Sequence, residues 1–179
     1  MQTVKFTQMQ DGDVEDYRLL DARERDFAAQ TAERVFAALG DLENSISGYQ
    51  VSRLEHSLQT ATRAERDGAD EQMVVTALLH DIGDGLAPWN HGAMAAAILE
   101  PYVREECVWI AVHHGILQKY YYAHHLGGDR NERDGLRGHP HFAACDNFCA
   151  RWDQAAFDPA YDTLPLDHFA PLVREILHR

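Results

Sequence analysis

The feature that most constrains this chain is an apolar run that ends in a histidine and an aspartate. Residues 74–79 are apolar except for Thr76, which predicts a buried helix, and His80 and Asp81 follow directly. Adjacent side chains cannot share one face of a helix, but at a helix end both can reach one metal ion or a pair of ions. The run therefore predicts a metal site inside the fold, with His80 and Asp81 at its centre.

Other histidines and aspartates along the chain supply further candidate ligands. They are His56, His91, His113 or His114, and Asp146 or Asp153. A single histidine at any of these places is more often a packed or surface residue, but the ordered series favours a metal site. His114 is preferred to its neighbour His113, although the residues alone leave that choice open.

The donor types indicate which metals the site would take. Imidazole nitrogen with carboxylate oxygen suits iron, manganese, cobalt, nickel or zinc, and the shortage of thiolates argues against a structural zinc site. Asp81 is the best bridge between two ions, because His80 can bind one ion while the adjacent carboxylate reaches both. These two are therefore also the predicted catalytic residues. We expect one ion on His56, His80, Asp81 and Asp153, and the other on His91 and His114.

Size and charge narrow the class of function. The 179 residues suit one domain, taken as residues 1–179, which can bury roughly two thirds of the surface of its unfolded chain. The 16 Lys and Arg against 29 Asp and Glu give a formal charge of −13, which opposes nucleic-acid binding. No stretch approaches the roughly 20 apolar residues that span a bilayer, and residues 1–10 lack a signal-peptide core. We expect a cytoplasmic protein without a nucleic-acid or membrane partner.

Helical periodicity dominates the chain, and the alternation typical of strands is almost absent. The pattern predicts an all-α helical bundle with the site between helices. The predicted helices run from Asp13 to Ala38 with Gly40 as the stop, Leu54 to Arg66, Asp70 to His80, from Pro88–His91 onward, Glu105 to His114, Pro140 to Asp153, and Pro165 to His178. Residues 127–140, with four glycines and many charges, predict a surface loop or lid.

Three segments carry a resemblance to a known family. The stretch from Ser52 to Ala61 resembles the Leu-Glu-His-x-Leu-Gln-x-Ala motif of HD-domain oxygenases, which cleave hydroxylated aminoethylphosphonates. Arg151-Trp152-Asp153 and residues 165–171 are also similar to that family, over about residues 50–173 in all. The HD superfamily takes its name from the His-Asp pair. Myo-inositol oxygenase shows a similar ligand order with weaker motif agreement.

The resemblance implies a mixed-valent pair of iron ions that activates dioxygen. Abstraction of the hydrogen on the carbon that bears phosphorus would precede cleavage of the C–P bond. The resemblance also favours Asp153 over Asp146 as the last ligand, because the superfamily places its final aspartate there.

Two departures from the family bear on the substrate. Tyr49 stands where the glycine-forming relatives carry an acidic residue that contacts a primary amine, and Asp84 replaces a second histidine after the His-Asp pair. An aromatic ring in place of an acid suits a quaternary ammonium, which ring faces attract. The resemblance then implies 1-hydroxy-2-(trimethylamino)ethylphosphonate as substrate, with glycine betaine and phosphate as products. Aromatic rings that could form a cage around this ammonium are those of Tyr49, Tyr120, Tyr121, Tyr122, Trp89 and Trp152.

Several polar residues are candidates for the remaining substrate contacts. Gln59, Gln118, Lys119 and Arg151 are predicted to contact the phosphonate, and Asp84 either adds a charge beside the ammonium or caps the next helix. Two other functions remain open at this point. A phosphohydrolase of a nucleotide or small phosphate ester would use the same ligand order, although the chain has no P-loop. A metal-binding regulatory module would bind metal without turnover.

Overall fold

In the computed structural model, which describes residues 2–178, every regular element is a helix, and no strand occurs in that range. Residues 1 and 179, which the predicted domain includes, lie outside it. The α-helices are α1 (Val14–Ala28), α2 (Thr31–Asp41), α3 (Arg53–Arg66), α4 (Glu71–Leu79), α5 (His91–Leu99), α6 (Glu105–Tyr122), α7 (Phe142–Arg151) and α8 (Leu166–Ile176). Short 3-10 turns occupy Met9–Asp11, Leu42–Asn44, Ala123–Leu126, Glu132–Leu136 and Asp153–Ala155. The all-α fold class is confirmed.

Helix α4 is the buried centre of the bundle. Asp70 caps its first turn by accepting a hydrogen bond from the backbone N–H of Met73 at 3.2 Å, and every residue of 73–79 is buried. Helices α3, α6 and α8 pack around it. The apolar run thus gains its stability from burial on all sides, and it delivers His80 and Asp81 into the interior.

Two glycines bring the start of α5 close to the turn after α4 and to helix α6. A Cβ atom on Gly83 would lie 2.7 Å from the backbone oxygen of His91, and one on Gly92 would lie 2.6 Å from the backbone oxygen of Ala111 in α6. Neither distance is possible for a real side chain, so both positions require glycine for close approach. Their small size holds His91 against the other elements of the bundle.

The first predicted helix is wrong in its extent, because it is two helices. Helix α1 ends at Ala28, and α2 begins at Thr31 and runs past Gly40 to Asp41. Side chains satisfy the carbonyls that the break leaves free: Thr31 Oγ1 donates to the Ala28 oxygen at 2.7 Å, and Arg34 donates to the Phe27 oxygen at 2.8 Å. No Gly or Pro marks this break, so the pattern of residues gave no signal for it.

Two later helix predictions also need correction at their ends, and the predicted loop contains a short turn. Helix α6 continues to Tyr122, which puts His114 in its middle, because the lone Gly115 costs the helix only about 1 kcal/mol. Helix α7 ends at Arg151, and Asp153 begins the 3-10 turn that follows. The loop of residues 127–140 contains the turn Glu132–Leu136, whose Arg133 is buried and pairs with Asp146. The other predicted helices agree with the structure to within about three residues.

Within residues 2–178, none of the helices combines the length and the apolar character needed to cross a bilayer.

We expect Leu78→Ala to lower the free energy of unfolding by about 3 to 5 kcal/mol, because it leaves a cavity in the hydrophobic core. Leu78 is fully buried in α4, whereas Leu86 in the following turn is 79% exposed. Leu86→Ala is the matched control and should change the free energy by less than about 0.5 kcal/mol. Urea unfolding measures both variants, and equal effects would contradict the central place of α4.

Candidate metal centre

Six side chains from five parts of the chain converge at the buried end of α4. They are His56 in α3, His80 and Asp81 after α4, His91 at the start of α5, His114 in α6, and Asp153 in the turn after α7. All but His91 are at most 3% exposed. The structure thus brings together all six ligands that the sequence predicts.

The first group of ligand atoms lies deepest. The Nε2 atoms of His56 and His80 are 3.2 Å apart. His56 Nε2 also lies 3.3 Å from Asp81 Oδ2 and 3.3 Å from Asp153 Oδ1. His56, His80 and Asp81 lie close enough together to hold one metal ion with two nitrogen donors and one oxygen donor, and Asp153 forms a similar group with His80 and His114.

The second group uses the other oxygen of Asp81. The Nε2 atoms of His91 and His114 are 3.2 Å apart, and Asp81 Oδ1 lies 3.4 Å and 3.1 Å from them. Asp81 therefore presents one carboxylate oxygen to each pair of histidines. This is the arrangement expected of a carboxylate that bridges two ions.

The orientation of the imidazole rings shows that the site fits metal ions. The Nδ1 atoms of His56, His80 and His114 lie 2.8–3.0 Å from the backbone oxygens of residues 156, 77 and 111, which can only accept hydrogen bonds. Each ring in its neutral form thus carries its proton on Nδ1 and turns an Nε2 lone pair toward the cluster. Converging lone pairs and carboxylates repel each other unless a cation lies among them.

A buried carboxylate oxygen without a hydrogen-bond partner in the described part of the chain also indicates that the site fits a cation. Asp153 Oδ2 is buried and has no hydrogen-bond partner among the described residues. A buried acceptor without a partner costs free energy, and a bound cation would remove that cost.

Opposing effects set the charges of the cluster. Burial lowers the pKa of His56, but the carboxylates of Asp153 and Asp81 outweigh it and raise the pKa to about 9. The pKa of His114 is likewise lowered by burial, raised mainly by Asp81, and also lies at about 9. Burial raises the pKa of both Asp81 and Asp153, yet the surrounding imidazoles hold the two values well below their usual range. Without metal, the centre would therefore hold protons among ionised carboxylates.

The two rival ligands lie outside the cluster. His113 stacks on the ring of Trp109 at a centroid distance of 4.1 Å and donates from Nδ1 to the backbone oxygen of the same residue at 2.8 Å. Asp146 pairs with Arg133. Both rivals are thus engaged with other side chains, and the structure places His114 and Asp153 in the centre.

A cavity of about 270 Å³ opens beside the second group of ligands. It is lined by Tyr49, Arg53, Asp81, His91, His114, Gly115, Gln118, Tyr121, Tyr122, Gln154 and Phe157. Several of these side chains are aromatic, and only a few are charged. A small polar molecule could therefore reach the ligand atoms of one ion while aromatic rings enclose its other end.

The predicted substrate contacts divide into two groups. Tyr49 and Gln118 line the cavity, and Asp84 lies beside it, within 3.2 Å of His91 Nδ1. Gln59 is buried elsewhere, where its amide bonds the backbone of Asp158.

Two cationic residues that were predicted to contact the substrate also lie outside the cavity lining. Lys119 pairs with Glu132 at 2.7 Å in a neighbouring groove, and Arg151 pairs with Asp67 at 2.8 Å. Both side chains are already engaged by surface carboxylates.

The predicted cage members divide in the same way. Tyr121 and Tyr122 line the cavity together with Tyr49. The remaining three are Tyr120, which lies between Arg130 and Arg133; Trp89, which is fully exposed; and Trp152, whose Nε1 donates to Asp67.

Arg53, Gln154 and Phe157 line the cavity but were not predicted. Arg53 had a usable signal, because it precedes His56 by three residues and such a pair shares one helix face. Phe157 stacks on His56 at a centroid distance of 4.4 Å, a contact that depends on the path of the chain after α7.

Part of the chain is similar to a known protein. A protein of Leisingera caerulea named 1-hydroxy-2-(trimethylamino)ethylphosphonate dioxygenase (glycine-betaine-forming) is 49% identical over 88 residues. The match covers 41% of this chain and 44% of the relative, so it spans less than half the length of the curated relative. No protein-family model matches the chain. The chain is thus similar, over part of its length, to a protein named as a dioxygenase.

We expect His114→Ala to reduce the metal content by about one ion per chain, because the second group would retain only His91 and one oxygen. The adjacent His113→Ala is the matched control and should leave the metal content unchanged. Elemental analysis of purified, metal-loaded variants measures both. An equal loss in the two variants would contradict the assignment of His114.

We expect metal affinity to rise with pH between about 7 and 9 and to level off above it. His56 and His114 have raised pKa values of about 9, so below that pH they hold protons that a metal ion must displace. Binding should release about one to two protons at pH 7, measurable as the slope of affinity against pH in chelator competition. An affinity independent of pH in this range would contradict the prediction.

Proposed function

We propose that this chain is a di-iron oxygenase that cleaves the C–P bond of 1-hydroxy-2-(trimethylamino)ethylphosphonate with dioxygen, giving glycine betaine and phosphate. We also propose that residues 1–179 form one HD domain. The observation that carries the proposal is the Asp81 carboxylate, which gives one oxygen to each of two histidine pairs beside a cavity of suitable size. The name of the Leisingera caerulea relative supports the choice of substrate.

We propose two ion positions in the centre. His56, His80 and Asp81 would hold one iron, and His91, His114 and Asp81 the other. Asp153 Oδ1 lies 3.3 Å from His56 Nε2 and 3.7 Å from His80 Nε2, so we assign it to the first iron. When bound, a pair of irons would supply the one-electron redox chemistry that dioxygen requires. His and Asp donors also accept manganese or zinc, so the choice of iron rests on the proposed reaction.

The proposed reaction balances without an external reductant. The substrate loses the C–H and C–P bonds of its hydroxylated carbon, which becomes a carboxylate. Phosphorus leaves as phosphate, and one dioxygen molecule supplies the two added oxygen atoms. The substrate is oxidised by four electrons, and dioxygen accepts all four.

The chain's own residues hold and shield the reacting groups. Backbone oxygens fix the rings of His56, His80 and His114 through Nδ1, so their Nε2 atoms need little reorganisation to bind a ligand. Tyr49 and Phe157 both line the cavity and stack with ring centroids 5.0 Å apart, and Phe157 also stacks on His56. In the proposed reaction, these rings would displace water from one side of a bound substrate and keep it beside the ions.

The test is oxygen uptake and phosphate release by anaerobically prepared, iron-loaded protein given 1-hydroxy-2-(trimethylamino)ethylphosphonate or its primary-amine analogue. We expect one phosphate for each dioxygen consumed, faster with the trimethylated compound, and no detectable turnover by Asp81→Ala. Asp146→Ala, which alters the rival aspartate outside the cluster, is the control and should retain activity. Phosphate release from ordinary phosphate esters without oxygen uptake would instead support a phosphohydrolase.

A further inference from the structure

Arg53 brings a guanidinium to the candidate cavity, beside the histidines of the ligand cluster. Within residues 2–178, the cavity lining contains no other Lys or Arg. Arg53 begins α3, one helical turn before His56, and its side chain is only 14% exposed. A buried charge is costly unless it has partners or a ligand, so its place beside the ligand cluster calls for a function.

The ionic partners of Arg53 leave part of its guanidinium unused. Its Nε lies 2.7 Å from Asp84 Oδ2, and its Nη1 lies 3.5 Å from Asp81 Oδ2. The closer contact is ionic without the alignment of a hydrogen bond, because both atoms are buried and neither has a hydrogen-bond partner among the described residues. A guanidinium has five N–H donors, so capacity remains for an anion in the cavity.

Tyr49 holds Arg53 from the other side. The guanidinium carbon lies 5.0 Å from the centroid of the Tyr49 ring, within the range of a cation–π contact. The same ring stacks on Phe157. Tyr49 therefore already contacts a cation of the protein itself, which makes it a support for Arg53.

The charge around the cavity explains why an arginine is needed. Asp81 lines the cavity and Asp84 lies beside it, and both carboxylates would repel a phosphonate dianion. Arg53 contacts both carboxylates and lines the cavity, so its positive charge offsets theirs there. Its planar fork also matches the oxygens of a tetrahedral anion better than a lysine would.

We propose that Arg53 binds the phosphonate oxygens of the substrate, and that Tyr49 positions Arg53 for this contact. The inference rests on the proposed function for the class of substrate, and it assigns the anionic end of the substrate to α3. In this orientation, the ammonium end of the substrate would contact the rings of Tyr121 and Tyr122 at the end of α6. Side chains in a helix lean toward its N-terminus, so these rings lie over the turn that precedes them, in the direction of His114.

The test measures the binding of two probes, inorganic phosphate and tetramethylammonium, to iron-loaded protein under anaerobic conditions by calorimetry. We expect Arg53→Gln to weaken phosphate binding about tenfold or more and to leave tetramethylammonium binding unchanged. Arg53→Lys, which keeps the charge but not the fork, should weaken phosphate binding less. Arg151→Gln is the matched control and should bind phosphate as the wild type does, because Arg151 pairs with Asp67 outside the cavity.

Tyr49 is tested by a pair of variants. Tyr49→Leu should weaken phosphate binding severalfold, whereas Tyr49→Phe, which keeps the ring, should restore it. A purely structural role would weaken both probes alike and would not be rescued by phenylalanine.

Three results would overturn the proposal. They are wild-type phosphate affinity in both Arg53 variants, equal weakening of the two probes, and loss of iron from both Arg53 variants, which would make Arg53 a structural part of the centre. Probe binding needs no turnover. Probe binding can therefore support the role of Arg53 even if no oxygen uptake is observed. Conversely, oxygen uptake can be observed even if the Arg53 variants bind phosphate as the wild type does.

Discussion

The structure depends on one buried carboxylate, that of Asp81. It lies between two pairs of imidazoles and is almost fully buried, and such a charge is tolerated only when cations or donors surround it. Four helices or helix ends must therefore meet at one point. The apolar character of α4 drives this end of the chain into the interior, and the ligands from α3, α5 and α6 compensate for the cost of burying it.

The approach of backbones, more than of side chains, sets the geometry of the centre. Gly83 and Gly92 allow contacts that no other residue permits, and these contacts place His91 opposite His114. The backbone oxygens of neighbouring helical turns then orient the imidazoles. The positions of the ligand atoms thus depend on helix packing, which is rigid because the interior is closely packed.

Helical periodicity and the order of His and Asp residues are local properties, so they predicted the helical class and a series of candidate ligands. The choice between His113 and His114 stayed open, and only the family resemblance favoured Asp153 over Asp146, so the sequence pattern alone did not decide between the rivals. It failed where tertiary contacts decide the outcome. The break between α1 and α2 has no Gly or Pro and depends on the side chains of Thr31 and Arg34. Likewise, Arg151 lies beside a ligand in sequence but pairs with Asp67, whereas Arg53, which was overlooked, lines the cavity. Which way a long cationic side chain turns depends on partners distant in the chain.

The distribution of the ligands along the chain has a consequence for folding. They are drawn from residues 56 to 153, and the three cysteines of the described structure are free and buried. An ion held by such distant segments would close several long loops at once, as a cross-link does, and would oppose the large conformational entropy of the unfolded chain. Metal uptake and the cooperativity of unfolding would then be one equilibrium, so that the cell's supply of metal would set how firmly this bundle holds together.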